Sequence, residues 1–218
     1  MKNKSLLIVA FALLNFLSCK KEEEGEKVTP SEYFPAYPGS YWKYSNNKTM
    51  SVLDGYETRE FDLSSYSGEQ NKVKLSLPMI LLEGIYNGGD TYAFLNGNSL
   101  SKSFVSSYRD PMFKTLFSTN EGEVFGIGGA YLDHQWMGKT LVVDTTITIG
   151  SVSYPNVIVT IQYEYSCSRE YNQSPESCAT IKEYYGRGVG LLKRERRNPS
   201  LNSEYQTEFE LLSYYIAR

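Results

Sequence analysis

The chain holds one histidine, two tryptophans and three cysteines in 218 residues. Each scarcity excludes a class of chemistry. A metal site built on Cys167 and Cys178 would need more partners, and the chain has one histidine to offer. Asp133-His134 is the one acid–imidazole neighbour pair. Adjacent strand residues point to opposite faces, and the chain has no G-x-S-x-G elbow to supply a serine nucleophile. The lone histidine reads as structural or solvated. Positive charge is also lacking. Lys and Arg total 22 against 25 Asp and Glu, a formal net charge of -3. That balance lacks the basic footprint of a nucleic-acid-binding domain. No apolar run reaches the roughly 20 residues a membrane-spanning helix needs. No segment carries a convincing apolar stripe at helical spacing.

Aromatic residues are abundant instead: 19 Tyr and 10 Phe, types that favour pleated, half-buried surfaces. Lys72-Val73-Lys74-Leu75-Ser76-Leu77 alternates cleanly, as does Thr145 to Ile149. Asn156 to Tyr165 is the strongest strand pattern. Glu204 to Ile216 forms a last strand, with Tyr205, Thr207, Phe209 and Leu211 on one face. Asn87-Gly88-Gly89-Asp90 and Asn96-Gly97-Asn98 are hairpin-type turns. A short helix is expected within 106–118, interrupted by Pro111. The pattern predicts an all-β fold of about ten strands, an antiparallel meander curled into a sandwich or partial barrel.

Residues 1–18 read as a removable signal. Lys2 and Lys4 precede an apolar run from Leu6 to Leu17, broken only by Asn15. Ser18 lies directly before Cys19, and Phe16 stands three before it. A small residue before a cysteine resembles the lipobox of bacterial lipoproteins, which usually carries a branched aliphatic residue at the Phe16 position. The resemblance implies lipid attachment at Cys19, including palmitate; the competing reading is a plain secretory signal. Lys20-Lys21-Glu22-Glu23-Glu24 resembles the lysine-then-acidic export signal of surface-exposed lipoproteins in Bacteroidota-type bacteria. It implies an outer-membrane protein, lipid-anchored and exposed on the cell surface. Residues 19–31 are expected to be the lipidated cysteine and a flexible charged tether. Its 12 residues after the cysteine span at most ~40 Å. Residues 32–218 are expected to form a single β domain.

Two further stretches carry a resemblance. Tyr33-Phe34-Pro35 leads through Gly39 to Trp42 and Tyr44, and Tyr184-Tyr185 leads into Gly188-Val189-Gly190-Leu191. Together they resemble the opening and the late "YY-x-x-GVGL-x-K" element of a Bacteroidota-type surface lipoprotein family. That family implies an antiparallel β domain and no established activity. Asp144-Thr145-Thr146 similarly resembles a short O-glycosylation sequon of such exported proteins.

Cys167 and Cys178 flank the polar stretch from Ser168 to Ser177. In an exported protein an even pair across a hairpin loop reads as a disulfide. Residues 119–139 combine five glycines with Phe125, Tyr131, His134 and Trp136. Such a loop is either a ligand-binding loop or a cover over an open barrel end. Tyr131, His134 and Trp136 are therefore the candidate ligand-loop residues. Gly138-Lys139-Thr140 is not a P-loop, because Asp133 stands where the first glycine belongs and a strand follows. Gly186, Gly188 and Gly190 read as a bulge or sharp bend. Lys193-Arg194-Glu195-Arg196-Arg197 reads as a solvated hairpin face. Folding about Asn198 to Ser203 sets Lys193 opposite Glu208 and Arg197 opposite Glu204.

These readings imply no catalytic residue, no metal and no cofactor. The expected function is a non-enzymatic binding domain held to a membrane by its N-terminal lipid. Its ligand would be a lipid, a glycan or an envelope protein. The alternative is a structural or assembly subunit of an outer-membrane envelope complex.

Overall fold

The computed structural model describes residues 26–27, 30–62, 72–82, 92–96, 99–101, 117–126, 136–164, 174–198 and 203–218. Alternating apolar and polar residues become strands throughout. The N-terminal half supplies β1 (Glu26–Lys27), β2 (Tyr41–Tyr44), β3 (Thr49–Asp62), β4 (Lys72–Leu82), β5 (Tyr92–Asn96) and β6 (Ser99–Ser101). The C-terminal half supplies β7 (Val124–Gly126), β8 (Trp136–Ile149) and β9 (Val152–Glu164). A short helix, α1 (Pro175–Cys178), then leads to β10 (Ala179–Gly186), β11 (Gly190–Arg196) and β12 (Gln206–Tyr215).

The sheet order is β6-β5-β4-β3-β2-β12-β11-β10-β9-β8-β7. Neighbours on this path pair antiparallel, whereas β1 pairs with β4 in parallel. Two meanders are thus joined by the last strand, which lies between β2 and β11. The sheet curls into a half-barrel, so the all-β antiparallel expectation holds. Prolines inside strands fall at irregularities, where a missing N–H costs least. Pro78 sits where the β3–β4 register shifts, and Pro155 where the β8–β9 register shifts.

One face of the sheet forms the main core. Trp42 and Tyr44 of β2 are buried while Tyr41 and Lys43 point away. Phe34 stacks on Trp42 at 5.1 Å, Phe209 lies 4.7 Å from Tyr44, and Phe117 lies 4.8 Å from Tyr185. The segment before β2 therefore lies across the sheet and fills its inner face. The opposite face of β9 carries a smaller core of Ile161, Tyr163, Cys178 and Ala179. There α1 is capped by Ser174, which accepts from the Ser177 N–H at 3.2 Å, as N-cap serines do. Lys139 holds Glu176 at 2.7 Å.

Four expectations change. The tether is shorter than residues 19–31, because Glu26–Lys27 pair with β4 and Pro30 and Ser31 are buried. Part of the glycine-rich stretch is regular sheet, with β7 pairing β8. Gly138 serves that pairing: a Cβ there would sit 2.0 Å from the Phe125 ring. Gly186 to Gly190 is a hairpin turn between β10 and β11 rather than a bend in one long strand. Gly190 has φ 108, and a Cβ on it would meet Trp42 Nε1 at 3.0 Å, so the indole occupies the space this glycine leaves. Finally, Lys193 pairs with Glu210 and not with Glu208: the hairpin register lies one residue on from the expected one and shifts once more between Arg194 and Glu195. The helix expected at 106–118 lies, up to residue 116, outside the described residues, as does the turn at 87–90.

Candidate functional site

Of the residues singled out in the sequence, Cys19, Tyr131, His134 and Cys167 lie outside the described residues. Trp136 opens β8, with Glu164 as its Cα partner. Cys178 is buried at the end of α1. Asp144 and Thr145 sit in a part of β8 where the register shifts repeatedly, and Asp144 has φ 54. The Tyr33 hydroxyl donates to Asp144 at 3.2 Å. Burial, then the neighbouring Asp144 carboxylate, push the Tyr33 phenol above its ordinary range.

The structure brings together a group that sequence reading missed. Thr160 of β9, Glu183 of β10, Arg194 of β11 and Phe209 of β12 are register partners in one row. Glu183 and Arg194 are both 0 % exposed. Arg194 Nε donates to Glu183 Oε1 at 2.8 Å, and a second guanidinium nitrogen also contacts that oxygen. The other carboxylate oxygen accepts from Gln162 at 2.7 Å and from Tyr185 at 2.8 Å. The guanidinium carbon lies 5.1 Å from the Phe209 ring centroid. A buried carboxylate needs such partners, since an unpaired charge away from water is strongly disfavoured. The basic cluster is thus only partly a solvated face. The missed signal was parity: Ile181, Glu183 and Tyr185 share one side of β10, and Leu192 and Arg194 share one side of β11.

The opposite side of β10–β12 is a polar and aromatic surface. The Tyr184 hydroxyl donates to Glu195 at 2.7 Å, and Lys193 bridges Glu195 at 3.0 Å and Glu210 at 3.1 Å. Burial, then the bond to Glu195, raises the Tyr184 pKa strongly. For Glu195 burial works upward, but the bonds from Tyr184 and Lys193 outweigh it and lower its pKa. Arg197 does not meet Glu204 as expected; it lies 4.7 Å over the Tyr205 ring and donates to the Ala179 carbonyl at 2.7 Å.

A third feature lies on the outward side of β2, β3 and β12. Tyr41 is the Cα partner of both Tyr215 and Ser51, and Ser51 of Leu81. The Tyr41 and Tyr215 rings stack at 5.9 Å, and Lys43 Nζ lies 5.4 Å from the Tyr41 ring. Tyr41, Leu53 and Tyr215 are 36 %, 41 % and 54 % exposed.

Comparison of the chain with family models, curated proteins and solved structures gives no match. Among the described residues no helix is long and apolar enough to cross a membrane. Among them, too, no group of three or more His, Cys, Asp or Glu is placed to hold a metal ion.

Proposed function

We propose that this chain is an outer-membrane lipoprotein, anchored through Cys19 and carrying a non-enzymatic binding domain of β structure. One observation supports the binding role above the rest. The inner face of the half-barrel is packed with the chain's own Trp42, Phe34 and Phe117, while Tyr41, Leu53 and Tyr215 stay exposed on its outer side. Tyrosine rings with a polar tip and an apolar body suit contacts with lipids and glycans. The Lys-Glu run after Cys19 supports display at the cell surface. A disulfide between Cys167 and Cys178 would fasten the residues around α1 onto β9. Replacing Cys19 with Ser is expected to release the protein from membranes; a variant that still fractionates with them refutes the anchor. A thermal-shift screen against lipids and glycans tests the binding role, and no stabilisation by either class argues against it. The alternative, a subunit docked in a larger envelope complex, is tested by pull-down from native membranes, where a free monomer excludes it.

A further inference from the structure

The exposed tyrosine–leucine surface has a defined relation to the anchor. Glu26 of β1 is the Cα partner of Leu75 on β4. Leu81, further along that same strand, lies in register with Ser51 and so with the row of Tyr41 and Tyr215. Six residues along a strand cover about 20 Å. From Cys19 to Glu26 the chain has seven Cα steps, which reach at most ~25 Å. A lipid on Cys19 can therefore enter the same bilayer that the exposed face touches. The pairing of Glu26 and Lys27 with β4 limits how far the domain can stand from the anchor.

The chemistry of the face fits an interfacial position. Tyr41 and Tyr215 have apolar rings and polar hydroxyls, the combination that collects at membrane–water boundaries. Leu53 adds apolar surface, and Leu212 of β12 is 69 % exposed. Lys43 stands over the Tyr41 ring, where its ammonium can extend to headgroup phosphates while its stem stays on the apolar surface. Asp54 borders the patch and is exposed. A second, weak membrane contact beside a lipid gains from the high effective concentration that the anchor imposes.

We infer that the outward face of β2, β3 and β12, carrying Tyr41, Leu53, Tyr215 and Lys43, seats on the lipid headgroup interface of the membrane that holds the anchor. The inference rests on lipidation at Cys19 and specifies the surface that binds. The domain then lies against the bilayer instead of standing away from it.

The test uses the full lipidated chain with Cys167→Ser, Cys178→Ser and Leu53→Cys, labelled at position 53 with an environment-sensitive fluorophore. The protein is reconstituted into vesicles of phosphatidylethanolamine and phosphatidylglycerol containing nitroxide-labelled lipid. Val152→Cys, exposed on β9, carries the control label. Expected are a blue shift and nitroxide quenching at position 53, neither of them at position 152, and loss of both on adding Tyr41→Ser and Tyr215→Ser. Flotation with the vesicles reads the anchor separately. A protein that floats but is not quenched at position 53 keeps its anchor and overturns the docking face. A blue shift that ignores the nitroxide and grows with protein concentration assigns the face to a second copy and also overturns it. A chain that fails to float removes the anchor and the docking with it.

Discussion

Trp42 donates its indole N–H to the carbonyl oxygen of Val189, joining positions 147 residues apart. Around this bond the Tyr44 hydroxyl donates to the Leu191 carbonyl at 3.1 Å. The Gly188 N–H donates to the Glu32 carbonyl at 2.6 Å, and Arg187 pairs with Glu32 at 2.6 Å. The stretches 32–44 and 187–191 thus form one packed unit: the Trp42 indole takes the space that Gly190 leaves and donates to the neighbouring Val189 carbonyl.

Arg194→Ala is expected to lower unfolding free energy by about 3–5 kcal/mol, because it leaves the Glu183 carboxylate buried without its cation. Arg194→Met combined with Glu183→Leu is expected to recover much of that loss, since apolar residues can replace a buried pair. Urea unfolding of the three proteins checks both. A single variant within about 0.5 kcal/mol of the parent, the range of ordinary surface changes, refutes the account.

Gly138→Ala places a methyl where the Phe125 ring lies. The ring must move, and overpacking of this kind costs roughly 1–3 kcal/mol. Phe125→Ala in the same background is expected to remove the clash, so the two changes should be strongly non-additive. Additive effects in thermal unfolding would refute the contact.

Stability should depend on acid through Glu195, whose folded pKa is lowered. A depressed carboxylate contributes stability above its unfolded value, near 4.3, and loses it as pH falls through the folded value. Glu195→Gln is expected to flatten that acid limb. Tyr184, raised in the fold, has the opposite sign. Its contribution is complete below the unfolded value near 10 and declines as pH rises beyond it. Tyr184→Phe should flatten the alkaline limb, read from unfolding midpoints across pH. Unchanged limbs in both variants would show that neither group is coupled to folding.

Reduction is expected to destabilise the protein if Cys167 and Cys178 are bridged. On the chain-entropy account, closing a loop of this size contributes about 3 kcal/mol. Intact mass before and after alkylation under non-reducing conditions decides it. Alkylation of both thiols in the unreduced, denatured protein excludes the bridge.

Much of the sheet was legible because alternation is a local signal. β9 follows its pattern closely, whereas in β12 only Phe209 and Leu211 keep the expected shared face, because the register shift sets Thr207 opposite Glu195 on the other side. Register was less legible. The hairpin register lies one residue on from the expected one, and the shift between Arg194 and Glu195 then carries Lys193 onto Glu210; nothing local announces that bulge. The tether was misjudged because a charged run hid Glu26–Lys27, whose pairing with β4 is set by residues far along the chain. Arg194 was misjudged because a run of charges looks solvated unless strand parity is applied within it.

The central place of β12 also sets an order of events. A chain made N-terminus first holds β2 through β11 before Gln206–Tyr215 emerges. Until then β2 and β11 each expose an unpaired ladder, the kind of edge on which chains aggregate. The last strand satisfies both at once, so an incomplete chain carries two sticky edges and a complete one carries neither.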